Sequence, residues 1–396
     1  MKALFYSYSA KAMPENNTPV IFPKRILLLS PYDAVSHRYW HKGLVKAFPA
    51  IEWTVLTLSP RYFSWRIRGN SLTLGLGYQD TLLQPYDLVI ATSMTDLSSL
   101  RGLVPALTQI PTILYCHENQ FVYPAQENAV DSVGAQVVTL YSALAADCVV
   151  FNTLYNQETF ISGAKKLLGQ FPDGVPKNVI SEITRKSRVI PVPLQADLFF
   201  KIKPTVSEQK LQIVWNHRWE YDKAPERFFS AIAQLATKTR NICVHVVGQQ
   251  FRKKPPYFAE FYQKYADIVG QWGFVDSRED YHQLLANSDV VVSTALHDFQ
   301  GISIQEAVAL GCIPVVPDRL AYPYLFSKAF CYQSNIDDVE GEVDTLANRL
   351  YQLVVAKQEN KLPQAPEMQE WYWSSLKEAY ASLFTQVCTS LTKYEL

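Results

Sequence analysis

The feature that most constrains the fold is a series of short, almost unbroken apolar runs separated by segments of helical spacing. The runs lie at residues 25–30, 53–58, 88–92, 111–116, 148–152 and 187–190, and again at 211–216, 242–248, 268–269, 273–275, 289–294 and 313–316. A strand with apolar residues on both faces must be covered on both faces, which is the condition of a parallel sheet sandwiched by helices. Helical spacing falls between the runs, at 37–48, 132–146, 225–236, 256–265, 278–287, 302–310 and 343–356, with a last pattern at 369–394. Strand, helix and strand between 25 and 58 make one right-handed βαβ unit. Its repetition predicts an α/β chain with doubly wound parallel sheets.

A chain of 396 residues is too long for one ordinary core, so two such sheets are expected. The proline-bearing stretch 191–206 is the best boundary, a short stiff hinge. The expected organisation is a leader at 1–24, a first Rossmann-like domain at 25–194, a hinge linker at 195–206 and a second such domain at 207–368. A helix at 369–396 then crosses back to the first domain near Trp371 and Trp373.

Lys plus Arg and Asp plus Glu both number 37, so no whole-molecule field draws the chain to nucleic acid or membrane, while local patches stay possible. The six cysteines are scattered without a CxxC or other metal spacing and read as free thiols of a reducing compartment. The first 24 residues lack a signal-peptide core, and no run of ~18 apolar residues exists. The expected location is therefore cytoplasmic, with no stable membrane association.

Chemistry concentrates at the carboxyl ends of the runs, where open α/β sheets bind ligands. Asp298 and Glu306, with seven residues between them, flank a turn at Gly301 and a helix that stops at Gly311. A carboxylate there accepts the hydroxyls of a ribose or sugar; the alternative is two surface acids at a helix start. Arg218 and Lys223 follow the run 211–216 in a strand-to-helix loop. Arginine offers a fork for two phosphate oxygens, lysine a point charge, and the helix opening at Pro225 a positive dipole. Together they suit a diphosphate; the alternative is a solvated loop with Glu220 and Asp222 as ion-pair partners.

In the first half, His117-Glu118-Asn119 ends the run 111–116. A histidine there can hold a substrate hydroxyl or stabilise developing charge, or be a buried residue satisfied by backbone. The zinc motif HExxH fails because residue 121 is Phe121. Ser36 and His37 stand at the first strand-to-helix turn, where backbone N–H groups meet phosphate; Ser36 could equally be a helix cap. Arg61, Arg66 and Arg68 are interleaved with Tyr62, Phe63 and Trp65, a pattern suited to stacking on RNA and contacting its backbone. Residues 185–188 and 252–254 are further basic patches.

These features resemble the family 4 retaining glycosyltransferases of GT-B fold, whose paired-acid signature stands here as Asp298 and Glu306. SHRYWHKGL (36–44), HENQFVYP (117–124), HRWEYDKAPERFF (217–229) and HDFQGISIQEAVALGCIPVVPDRLAYPYLF (297–326) sharpen the resemblance to the tRNA-queuosine α-mannosyltransferase family. It implies transfer of mannose from GDP-mannose to the cyclopentene-diol of queuosine in the anticodon of tRNA-Asp, with retention and with the leaving phosphate taking the acceptor's proton. By position it implies that Arg218 and Lys223 neutralise the donor diphosphate beside Ser36, and that Glu306 holds the ribose. Asp298 and the backbone at Gly301 would hold the donor sugar, and His117 would stand beside the transferred sugar. His37, Glu118, Asn119, Arg61, Arg66 and Arg68 would meet the tRNA acceptor. No metal or other cofactor is expected.

The chain departs from the family at Ala34-Val35, where glycines are usual, and at Asp298, where glutamate is usual. Rival expectations are a transferase using another nucleotide sugar or a lipid or polysaccharide acceptor, a catalytically silent RNA-binding relative and, more remotely, a sugar-nucleotide epimerase. The oligomeric state is not legible.

Overall fold

The computed structural model describes residues 21–122, 132–195, 204, 209–250 and 255–391. Within them the chain forms two six-stranded sheets. The first contains β1 (Arg25–Ser30), β2 (Glu52–Thr57), β3 (Leu88–Thr92), β4 (Thr112–Cys116), β5 (Cys148–Phe151) and β6 (Ser187–Val189), in the order β2-β1-β3-β4-β5-β6. The second contains β7 (Leu211–Trp215), β8 (Ile242–Val247), β9 (Val269–Gly273), β10 (Val290–Val292), β11 (Ile313–Pro317) and β12 (Cys331–Tyr332), in the order β12-β11-β10-β7-β8-β9. Every pairing is parallel. The doubly wound expectation therefore holds in both halves.

The central apolar runs behave as two-faced strands, whereas the edge strands β2 and β9 are partly exposed and the runs 268–269 and 273–275 fall at the two ends of the single strand β9. Leu27 and Leu29 point into one helical layer, Ile26 and Leu28 into the other, and all four are fully buried. Each such side chain contributes roughly 1.5–3 kcal/mol of burial free energy. In each sheet the strand order reverses once, between β1 and β3 and between β7 and β10. The loops at such a switch diverge to opposite faces and leave a crevice.

The two halves touch directly. Thr153 Oγ1 donates to Phe299 O at 2.7 Å, and the Gln300 carboxamide is paired with both backbone groups of Val192 at 2.8 and 2.9 Å. The last helix returns to the first sheet. Gln369–Trp371 is a single 3₁₀ turn, Tyr372 is extended and bridges to Leu194, and the α-helix is Trp373–Leu391 rather than one pattern from 369. Its Tyr380 hydroxyl meets Trp40 Nε1 at 3.0 Å and Pro191 O at 2.9 Å, while Phe384 and Leu383 join the core of Ile26, Leu28 and Trp40.

Two local expectations need correction. The first helix is Val35–Ala47, with Ala34 as its N-cap, so Ser36 lies inside the first turn and caps nothing. A helix at Phe63–Gly77 has no helical signature in the sequence, because its apolar residues fall at 63, 65 and 67 and again at 72, 74 and 76, and three glycines interrupt them. Residues 1–20 of the leader, 196–203 and 205–206 of the linker, 207–208 at the start of the second expected domain, the basic patch 252–254 and the end of HENQFVYP lie outside the described residues. Cys116, Cys148, Cys312 and Cys388 are buried and Cys243 and Cys331 partly exposed, and none forms a disulfide among the described residues.

Candidate active site

The second sheet brings its two switch loops together. After β7 the chain makes a 3₁₀ turn at Tyr221–Lys223, and Ala224 then adopts left-handed backbone (φ 43°) before Pro225 opens the helix Pro225–Lys238. Proline disfavours right-handed helical backbone in the residue before it, so this strained corner turns Lys223 inward. Its ammonium donates to His297 O and lies 3.3 Å from Asp222 Oδ2 and 3.7 Å from Asp298 Oδ2.

Asp298 accepts from Gly301 N at 2.9 Å and from Tyr322 OH at 3.2 Å. Tyr322 OH is 2.7 Å from Ser293 Oγ, which lies 3.0 Å from His217 Nε2. Burial alone would raise the Asp298 pKa, but the Lys223 charge and the neighbouring histidines hold it below the usual carboxylate range. Asp298 is thus an ionised hydrogen-bond acceptor. Gly301 is left-handed (φ 70°) and a β-carbon there would stand 3.0 Å from the Tyr322 ring.

Arg218 is the outer cation. Its side chain is 52% exposed and pairs with Glu220 at 2.8 Å, with Asp222 at 4.0 Å. The ion-pair partners considered from sequence are therefore present, yet they orient a half-free guanidinium beside a buried ammonium. Glu306 has other neighbours: Arg278 at 3.3 Å, and Tyr39 from the first domain. Burial raises its pKa and Arg278 opposes the rise.

The first sheet presents a histidine-rich edge. His37, in the first turn of Val35–Ala47, places Nε2 3.1 Å from Glu118 Oε2, and Ser93 Oγ donates to Glu118 Oε1 at 3.0 Å. The His37 and His117 rings stack at 4.2 Å, and Trp40 and Tyr115 pack around His117. Burial, then the neighbouring His37 and His41, push the His117 pKa well below its ordinary value, so it is neutral. Its Nε2 is buried without a hydrogen-bond partner among the described residues. Glu118 is held low, because His37, Ser93 and His297 together outweigh its burial. Since His297 belongs to the second sheet, the two edges share one cleft. Tyr32 makes the same point, responding to Glu118 on one side and to Arg218 and Glu220 on the other.

One candidate is removed. Asn119 is fully buried, and its carboxamide is consumed by Asn156, Thr159 and the backbone of Phe121; it shapes the loop and cannot reach an acceptor. Arg61 and Arg68 are exposed and Arg66 is partly buried, on or beside the helix Phe63–Gly77. Trp65 is 56% exposed, with its ring lying across the Gly69 backbone, where a β-carbon would stand 2.5 Å from it. Ser293, Ser93, Arg278 and Gly248 lie outside the motifs, and only folding makes them neighbours of the site; His217 and Tyr322 lie within 217–229 and 297–326, where sequence alone marks no role for them. Among the described residues there is no group of three or more His, Cys, Asp or Glu side chains arranged to hold a metal ion, and no helix is long and apolar enough to cross a membrane.

The buried histidines make stability acid-sensitive. Burial, then Lys223, pushes the pKa of His217 down to about 3 and that of His297 down to about 4, from an ordinary value of 6.5. Below about pH 6.5 the unfolded chain binds protons that the folded chain refuses, so stability rises with pH across this window and falls on acidification. Each histidine contributes up to about 1.4 kcal/mol per pH unit. Urea midpoints measured at about pH 7.5, 6 and 5 should drop progressively; equal midpoints would show that both histidines titrate normally.

Comparison with known proteins bears on this cleft. A family model for the tRNA-queuosine alpha-mannosyltransferase N-terminal region matches residues 25–194, and one for glycosyl transferases group 1 matches 198–360. A tRNA-queuosine alpha-mannosyltransferase of Drosophila melanogaster is 29% identical over 322 residues, covering 78% of this chain and 84% of that protein. Among solved structures, sucrose-phosphate synthase from Thermosynechococcus elongatus superposes with a TM-score of 0.65 at 13% identity, over 93% of this chain and 100% of that one. A structure described as trehalose-6-phosphate from E. coli bound with UDP-2-fluoro glucose gives 0.62 at 13% identity, over 91% and 99%. At such identities the structures establish a shared fold, which is GT-B.

Proposed function

The chain belongs to the tRNA-queuosine alpha-mannosyltransferase family and is a glycosyltransferase of GT-B fold, and from that premise we propose that it moves mannose from GDP-mannose onto queuosine in the anticodon of tRNA-Asp. The family implies a nucleotide-sugar donor and a tRNA acceptor. The observation that carries the finer reading is the opposition of two edges across one cleft. Arg218 and Lys223, with Asp298 and the Gly301 backbone, stand on the second sheet; His117 and Glu118 stand on the first.

In this reading the second domain, 207–368, holds the donor and the first, 25–194, the acceptor. Arg218 and Lys223 face the diphosphate, and negative charge grows there as the bond from the sugar's anomeric carbon to phosphate oxygen breaks. Preorganised cations at such a position lower the barrier without reorganising. The acceptor hydroxyl oxygen bonds to the anomeric carbon, its proton passes to the leaving phosphate oxygen, and GDP departs. Asp298 orients the sugar hydroxyls, Glu306 the ribose, and neutral His117 offers its unpartnered Nε2 to the transferred sugar. Ser36 lies in the first turn of its helix, where backbone N–H groups point outward.

The test is incubation with radiolabelled GDP-mannose and tRNA with or without queuosine. Label confined to queuosine-containing tRNA is the expected outcome. Label from UDP-glucose alone would replace the donor, and tRNA binding without label would leave a silent RNA binder.

The exposed face of Phe63–Gly77 supports contact with the anticodon stem-loop. Trp65 presents a flat indole backed by Gly69, with Arg61 and Arg68 nearby. Trp65→Ala should weaken tRNA binding by roughly 5- to 100-fold, the range for losing one base-stacking partner, and leave GDP binding intact. Unchanged tRNA affinity in a filter-binding titration would exclude this face.

A further inference from the structure

Within the loops of the first sheet lies an anionic group that the donor chemistry does not use. Glu118 is fixed at both oxygens, by Ser93 Oγ at 3.0 Å and by His37 Nε2 at 3.1 Å. The three residues follow three different strands: His37 stands in the first helical turn after β1, Ser93 directly after β3 and Glu118 after β4, so the fold converges on this carboxylate beside the topological switch. A carboxylate carries about four acceptor sites, and two are used here. Its side chain is 17% exposed, which leaves an approach from the cleft. Beside it, the buried Nδ1 of His37 and Nε2 of His117 have no hydrogen-bond partner among the described residues, so polar atoms remain there for water or a ligand to satisfy.

A fixed negative charge is wrong for a diphosphate, which the cations of the second sheet face instead. It is right for a neutral polyol that donates O–H groups. We propose that Glu118, positioned by Ser93 and His37, is the specificity-determining residue that accepts the vicinal hydroxyls of the acceptor's cyclopentene ring and so distinguishes queuosine from guanosine at the same tRNA position. This rests on queuosine being the acceptor.

The group is well suited to the role. His37, Ser93 and His297 keep the carboxyl ionised and therefore acceptor-only. Two of its acceptor sites remain for substrate hydroxyls, and a site built to pair them favours the ligand that carries them over the one that does not. Guanosine offers no hydroxyl on its base, so it would leave those two sites without a substrate donor. Ser93 acts through Glu118 and is a positioning residue.

The experiment measures binding of queuosine-containing and guanosine-containing tRNA of one sequence, and transfer to the queuosine-containing tRNA, for the wild type, Glu118→Gln and Ser93→Ala. Glu118→Gln is isosteric, and GDP binding reports whether each variant is folded. The expected result is that the wild type binds the queuosine-containing tRNA more tightly and that Glu118→Gln loses roughly 10- to 100-fold of that binding preference, with transfer to queuosine weakened through acceptor KM rather than kcat. Ser93→Ala should lose less, because the charge remains. If Glu118→Gln keeps the full preference while overall turnover falls, the residue is structural and the proposal is overturned. If the wild type itself does not separate the two tRNAs, the queuosine reading fails, and the proposal fails with it for that distinct reason.

Discussion

Lys223→Ala should lower kcat by roughly 100- to 1,000-fold, the cost expected on the proposed mechanism for removing one preorganised group from a developing anion. It also destabilises the protein. The ammonium stands between Asp222 at 3.3 Å and Asp298 at 3.7 Å, with all three side chains at most 16% exposed. Without it two carboxylates face each other in a poorly solvated space. Breaking a buried ion pair from one side costs about 3–5 kcal/mol.

Arg218→Ala provides the contrast. That side chain is 52% exposed and its partner Glu220 stays near solvent, so stability should change by less than about 1 kcal/mol, while turnover falls by a factor comparable to the lysine variant. Steady-state kinetics and urea unfolding of the two variants separate catalytic loss from structural loss. Turnover of Lys223→Ala within threefold of wild type would remove this lysine from the chemistry.

Gly248→Ala should destabilise the second domain by more than about 3 kcal/mol and weaken donor binding with it. Gly248 follows β8 at φ 146°, and an added β-carbon would lie 1.9 Å from His217 O and 2.7 Å from its carbonyl carbon. Positive φ alone costs a non-glycine residue about 1–3 kcal/mol. The overlap adds to that, because the obstacle is backbone and not the end of a flexible side chain. Relief requires moving the loop that begins His217-Arg218, which carries the outer cation. Gly311→Ala is the matched control: its φ is 106°, but nothing lies within 4 Å of the added carbon. It should show the conformational cost only and leave nucleotide affinity unchanged. Equal destabilisation of the two variants would mean that the His217 loop yields freely.

The apolar runs were legible because strands buried on both faces need no partner to reveal them. The same holds for the strand-to-helix turns at Asp298–Gly301 and Arg218–Lys223, whose charges stand out against apolar neighbours. The helix Phe63–Gly77 was illegible because its apolar residues follow no helical period; Ile67 and Leu74 are buried while Trp65, Leu72 and Leu76 stay exposed. Asn119 read as a ligand because it sits beside His117 and Glu118, and only the packing of Asn156 and Thr159 against it shows otherwise.

Sequence by itself determined the doubly wound class, the family and the loops that hold charge, since each depends on residues close together in the chain. Tertiary structure decided which of those loops meet. It placed Ser93 and His37 on Glu118, and it linked His217 through Ser293 and Tyr322 to Asp298. These partners are serines, a tyrosine and histidines from different segments; Ser93 and Ser293 lie outside the motifs, and where His37, His217 and Tyr322 lie within them the sequence does not show what each one touches. Their chemistry arises only where hydrogen-bond distance and exclusion of water coincide, and both are properties of the folded cleft.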